Sequence, residues 1–226
     1  MASHRADGRT DARTGRALLT LGRVDLVRIQ VGYRARPDGP AYEQFLLDLP
    51  APEQEEPDAL EVDEARVLAT LEPVLYAGAD APRHYSVHRH RWHTSWGASP
   101  GALEIGLLVT TGSREPAISE AARAGVVRAF RDLLRDTGQQ ATAPTSRDAA
   151  VLRARRSAAT AYALDPDTLS LSAEEHHAAE SSWSFALRTP HGDGYDVVVG
   201  LVDGYAGSVR VRHPERAEVF DSVGAE

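Results

Sequence analysis

The 226-residue sequence contains no cysteine and no lysine. Without cysteine there is no disulfide, no thiolate metal site and no cysteine nucleophile, which fits a reducing compartment. Aromatic residues are sparse, with three Trp, four Phe and seven Tyr, so aliphatic side chains must build most of the core. No apolar run approaches the ~18–20 residues of a membrane-crossing helix. The stretch from Met1 to Arg9 is polar and leads into more Arg and Asp, unlike a secretory signal. The expectation is a cytoplasmic protein with no membrane association. All 25 basic residues are Arg and stand against 33 acidic ones, for a net charge of −8. That balance argues against binding to double-stranded nucleic acid, which needs a locally basic face. Arg in place of every Lys, with abundant Ala, matches the codon usage of a GC-rich bacterial genome.

What is present is patterned. At roughly 150 residues per domain the length predicts one large domain or two small ones. Residues 1–17 are small, polar and charged, and read as a disordered tail. Val27, Ile29, Val31 and Tyr33 alternate with polar neighbours, and Phe45, Leu47 and Leu49 do so again after the turn cluster Pro37-Asp38-Gly39-Pro40. The two runs read as a hairpin. Residues 50–58 form a proline-rich acidic loop. Asp63 is placed to cap a helix whose apolar residues are Val67, Leu68, Leu71, Val74 and Leu75, with Pro73 straining its last turn. Tyr85 to Trp96 reads as a strand, and Leu103, Ile105, Leu107 and Val109 as the next. Glu115-Pro116 is expected to open a helix carrying the stripe Ile118, Ala122, Val126, Phe130 and Leu133, stopped at Gly138.

Residues 18–138 therefore read ββαββα, an antiparallel sheet with helices on one face. Residues 139–145 read as a linker. In 146–213, Ser146 caps a helix to about Leu164, and residues 174–180 are expected to make a helical turn or two. A three-stranded meander follows over Trp183–Leu187, Tyr195–Leu201 and Val209–Val211, either packed into the same domain or standing as a second lobe. The acidic tail spans 214–226. The fold class is α+β.

The residues most suggestive of chemistry are Arg83, His84, His88, Arg89, His90, Arg91, Trp92 and His93, a stretch with four His, three Arg and no acid. On a strand, His84, His88, His90 and Trp92 share one face, and Arg89, Arg91 and His93 share the other. Two imidazoles at His88 and His90 lie about 7 Å apart, usable spacing for a divalent transition metal such as zinc. A third ligand has to come from elsewhere, with His176, His177, His191, Glu174 and Glu175 as candidates. A cupin-like site needs Glu within a few residues of His-x-His, and the next acid here is Glu104. The guanidinium and imidazole groups, with Tyr85 and Trp92 interleaved, also suit a phosphate, a carboxylate or an acidic peptide. A polar outer strand with no ligand explains the same residues.

Other patterns carry less. Ser95 and Ser99 near His93 lack the Gly-x-Ser-x-Gly elbow of a serine hydrolase. Gly192-Asp193-Gly194 leads into a strand and is no phosphate loop. Asp193, Asp196 and Asp203 lack the calcium-loop spacing. Arg147 to Arg156 reads as a solvated helix face. Thr94 to Ser99 resembles, over those few residues, Trp-Gly-Ala-Ser stretches of small accessory proteins in bacterial defence systems, which would imply an accessory role. The expectation is a non-enzymatic adaptor or regulatory protein of a bacterial multi-component system, with a protein partner or self-association. A metal-dependent hydrolase on His88 and His90, and an anion- or nucleotide-binding module on Arg83, Arg89 and Arg91, are the alternatives.

Overall fold

The computed structural model describes residues 24–50, 63–76, 82–92, 101–112, 118–140, 142 and 144–214. The expected N-terminal tail, most of the acidic loop, the Glu115-Pro116 helix opening, His93, Ser95, Ser99 and the acidic tail from 215 onward lie outside the described residues.

The alternating runs form strands β1 (Val24–Arg34), β2 (Ala41–Pro50), β3 (Tyr85–Trp92) and β4 (Gly101–Thr110). Helix α1 (Glu64–Tyr76) starts where Asp63 accepts the backbone N–H groups of Ala65 and Arg66, and it continues through Pro73. Helix α2 (Glu120–Asp136) is capped by Ser119, whose hydroxyl accepts from the Ala122 N–H. Helix α3 (Arg147–Tyr162) is capped by Ser146 in the same way. Strands β5 (Ser170–His177), β6 (Ser182–Arg188), β7 (Gly194–Val199) and β8 (Ser208–Arg212) follow.

All eight strands belong to one sheet, in the order β3-β4-β1-β2-β8-β7-β6-β5. The α+β, ββαββα reading holds. Three features differ from the sequence expectation. First, the sheet is mixed: β1 and β4 run parallel at the centre of the N-terminal half. Second, the meander has a fourth strand. Residues 170–177 are extended, and only Ala178–Glu180 makes a short 3-10 turn. Glu-Glu-His-His has no apolar alternation to betray a strand, but pairing with β6 places His176 in a stack against Trp183, centroids 4.2 Å apart. Third, α1 and α2 share one face of the N-terminal half as expected, but α3, for which the sequence named no face, lies on the other.

That third point follows from register. Val27, Ile29, Val31 and Tyr33 of β1 share a face with Phe45, Leu47 and Leu49 of β2 and with Leu103, Ile105, Leu107 and Val109 of β4. All are buried under α1 and α2. Leu46 points the other way, in step with Val209 of β8. With Phe185, Leu187, Tyr195, Val197, Val199 and Val211 it packs against Ala150, Ala154 and Ala158 of α3. The helical layer thus changes sides at the β2–β8 junction, and Tyr42 through Leu47 of β2 are buried without a break. A strand covered on both faces reads as a continuous run, not an alternating one. Each half of the sheet keeps one face that no described helix covers.

Candidate functional site

β3 is an edge strand: among the described residues it pairs with β4 alone. Its extended backbone divides the side chains as the sequence predicts. Ser86, His88 and His90 belong to the face without a described helix, in step with Leu108, Gly106 and Glu104. Tyr85, Val87 and Arg89 belong to the face that carries α1 and α2. Tyr85 and Val87 are 46% and 38% exposed, two of the three large apolar residues so exposed among those described. Apolar side chains on an uncovered edge are what strand-capturing proteins present.

The other face is a polar floor. The His88 ring lies across Gly106 at a distance a Cβ could not tolerate, and its Nε2 stands 3.4 Å from Glu104. Arg28 donates to both oxygens of Asp48, at 2.8 and 3.3 Å. Burial works to lower the Arg28 pKa, but that hydrogen bond and the charges of Asp48 and Glu104 raise it overall. Arg34 donates to Thr110 and Ser86. The Gln30 amide donates to the Gln44 carbonyl, and the Gln44 amide donates to the Ala161 backbone carbonyl at the end of α3. Helix α3 walls this floor, with Arg153 3.7 Å from Asp48.

The predicted site residues separate in space. His90 is in step with Glu104 and His88 with Gly106 on the floor, whereas Arg89 turns to α1, its Nε 3.3 Å from Glu64. His84 precedes the strand, and its carbonyl accepts from the Thr110 N–H. Arg83 lies near the Tyr33 and Tyr42 hydroxyls and opposes the rise that burial imposes on their pKa values. Arg91 and Trp92 complete the strand opposite Leu103 and Ala102. Among the described residues no three His, Asp or Glu side chains come together as a metal site. The third-ligand candidates Glu174, Glu175, His176 and His177 sit on β5, at the opposite edge of the sheet.

One cluster escaped the sequence reading. Glu43 of β2 is 1% exposed. Its nearest cations are Arg123 Nε at 3.5 Å and Arg210 Nε at 3.9 Å, longer than an ordinary charge-assisted hydrogen bond. Arg212 is its partner in register. Burial pushes the Glu43 pKa up, and the charges of Arg123, Arg210 and Arg212 oppose that rise without cancelling it. Burial likewise lowers the pKa of Arg210. The available signal was an acid in step with Phe45, Leu47 and Leu49, on the buried side of its strand. The cluster ties α2 to the β2–β8 junction, and a polar group so placed is costly unless its neighbours hold it.

Compared with known protein families, with characterised proteins and with solved structures, the chain shows no significant match.

Proposed function

We propose that the chain is a binding module, an adaptor or regulatory protein, that takes an extended acidic segment of a protein partner along β3. The observation that carries this reading is the edge itself. An eight-residue strand has one sheet neighbour among the described residues, exposes Tyr85 and Val87 on one face, and carries Arg and His but no acid. An incoming strand would satisfy the outer backbone groups of β3, and its alternate side chains would cover the two apolar ones. Acidic residues in that strand would meet Arg89 on one face and His88 on the other, and opposite charges across a strand pair each add roughly 0.2–1 kcal/mol. An interface this small belongs to the weak, transient class.

The test is fluorescence anisotropy with a short labelled Val/Glu peptide, Val-Ser-Val-Glu-Glu-Ser, which can set Val opposite Tyr85 and Val87 and Glu opposite His88 and Arg89, against its Val/Lys counterpart. The Val/Glu peptide should bind and the Val/Lys peptide should not. Arg89→Glu should weaken binding about tenfold or more. Equal binding of both peptides, or none of either, would overturn the reading.

A further inference from the structure

The sheet has two edges, and they differ. β3 presents Val87, His88, Arg89 and His90; β5, the other edge, presents Ala173, Glu174, Glu175 and His176 and is exposed along almost its whole length. Strand direction fixes how two molecules could join. From β3, each neighbour reverses direction except at the parallel β4–β1 step. Seven steps with six reversals leave β3 and β5 pointing the same way. A second copy that continues the sheet, set beside the first by a screw rotation that carries the sheet's twist, therefore brings β5 of one against β3 of the other as a parallel pair, with each face of the sheet continuing into the same face of the next.

Faces and charges agree with that join. Glu175 pairs with Ser184, Ser184 with Val198, Val198 with Arg210 and Arg210 with Phe45, so Glu175 lies on the face of the first core cluster, as Arg89 does. Glu174, one residue earlier, lies on the face of His88. Setting Arg89 opposite Glu175 sets His88 opposite Glu174 and Val87 beside Ala173, and brings His90 beside His176. Glu174 keeps its bond to Arg147, at 2.7–2.8 Å, and Glu175 is largely exposed. By contrast, a two-fold pairing of β3 with itself sets no acid opposite Arg89 or His88 in any register, because the strand has none, and centred on Arg89 it sets Arg89 opposite Arg89. Like charges directly opposed destabilise a strand pair.

Resting on the reading of β3 as a docking edge, we propose that one partner is a second copy of this chain, whose β5 adds to β3. Because the two surfaces are different, the join does not close on itself and propagates head to tail.

The experiment is sedimentation of the full chain over a concentration series, with Arg89→Glu, Glu175→Arg and the double variant. For the native chain the weight-average mass should climb with concentration past that of a dimer. Each single reversal should hold the mass near that of the monomer. A mixture of the two single variants should recover long assemblies of alternating copies, since β3 of each variant complements β5 of the other, and the double variant should recover them alone. A native chain that stays monomeric, or levels off at a closed dimer, overturns the proposal, as does a double variant that assembles no better than the singles. The Val/Glu peptide separates the two ideas. Peptide binding without self-assembly removes this inference alone, whereas loss of both removes the docking edge itself.

Discussion

Replacing Gly106 with Ala probes the polar floor without touching its histidines. A Cβ on residue 106 would fall 1.7, 1.9 and 2.4 Å from three atoms of the His88 ring, so the ring must leave β4. What the move costs is limited. The ring side chain is 40% exposed and its contact to Glu104 is a single pair at 3.4 Å, and a partly exposed pair is worth about 0–1 kcal/mol. Ala in place of Gly also restricts the unfolded chain, returning roughly 0.4–1 kcal/mol where the backbone accepts it. Gly106→Ala should therefore change unfolding free energy by less than about 1 kcal/mol. Gly207→Ala is the control. There a Cβ would stand 2.5 Å from the Asp48 carbonyl oxygen and 2.3 Å from Tyr205 Cε1, and the Gly207 carbonyl already accepts from the Asp48 N–H. Backbone cannot swing aside as a side chain can, so overpacking here should cost about 1–3 kcal/mol. Urea unfolding of both variants decides the matter. A Gly106→Ala loss as large as that of Gly207→Ala would mean that His88 is locked in place, and the description of a yielding ring on an uncovered floor would be wrong.

Three further outcomes follow from the packing and the buried charge. Ala154→Leu should destabilise by about 1–3 kcal/mol, because α3 meets the sheet through fully buried alanines; Leu152→Ala, on its exposed side, should stay within about 0.5 kcal/mol. Ser119→Ala should cost about 1 kcal/mol by removing the α2 cap. Glu43 has a folded-state pKa above its unfolded one, so its contribution to stability is fully present below the unfolded value and fades as pH rises through the folded one. Urea titrations at several pH values should show the native chain gaining relative to Glu43→Gln as pH falls from neutral towards the ordinary Glu range, and the opposite trend would refute the assignment of burial as the dominant effect.

Much of the fold was legible because its residues repeat at the periods of their elements. The β1 and β4 alternation and the Asp63 and Ser146 caps are local signals, and each is where the sequence places it; α2 instead starts behind a Ser119 cap, later than the Glu115-Pro116 opening the sequence suggested. What was not legible depends on contacts distant in sequence. Leu46 interrupts the alternation of β2, and only pairing with β8 explains it, since α3 must then lie on the far face. Helix α3 itself hides its buried side, because Ala150, Ala154 and Ala158 differ little from alanines in water. Residues 174–177 became a strand through pairing with β6, against a local composition that suits a helix. In the candidate site the face sharing of His88 and His90 was readable from the period of a strand. The placing of Glu104 opposite His90 and beside His88 was not, because it needs the register of the β3–β4 pair rather than nearness in sequence. Arg89, adjacent to the histidines in sequence, meets Glu64 because α1 packs on its face of the sheet.

Amide hydrogen exchange along Tyr85–Trp92, with and without the Val/Glu peptide, tests the docking edge most directly. Alternate β3 amides, those facing away from β4, should slow when the peptide is added, while the amides of β7 and β8 keep their rates. Unchanged exchange throughout β3, with slowing elsewhere or nowhere, would contradict the account.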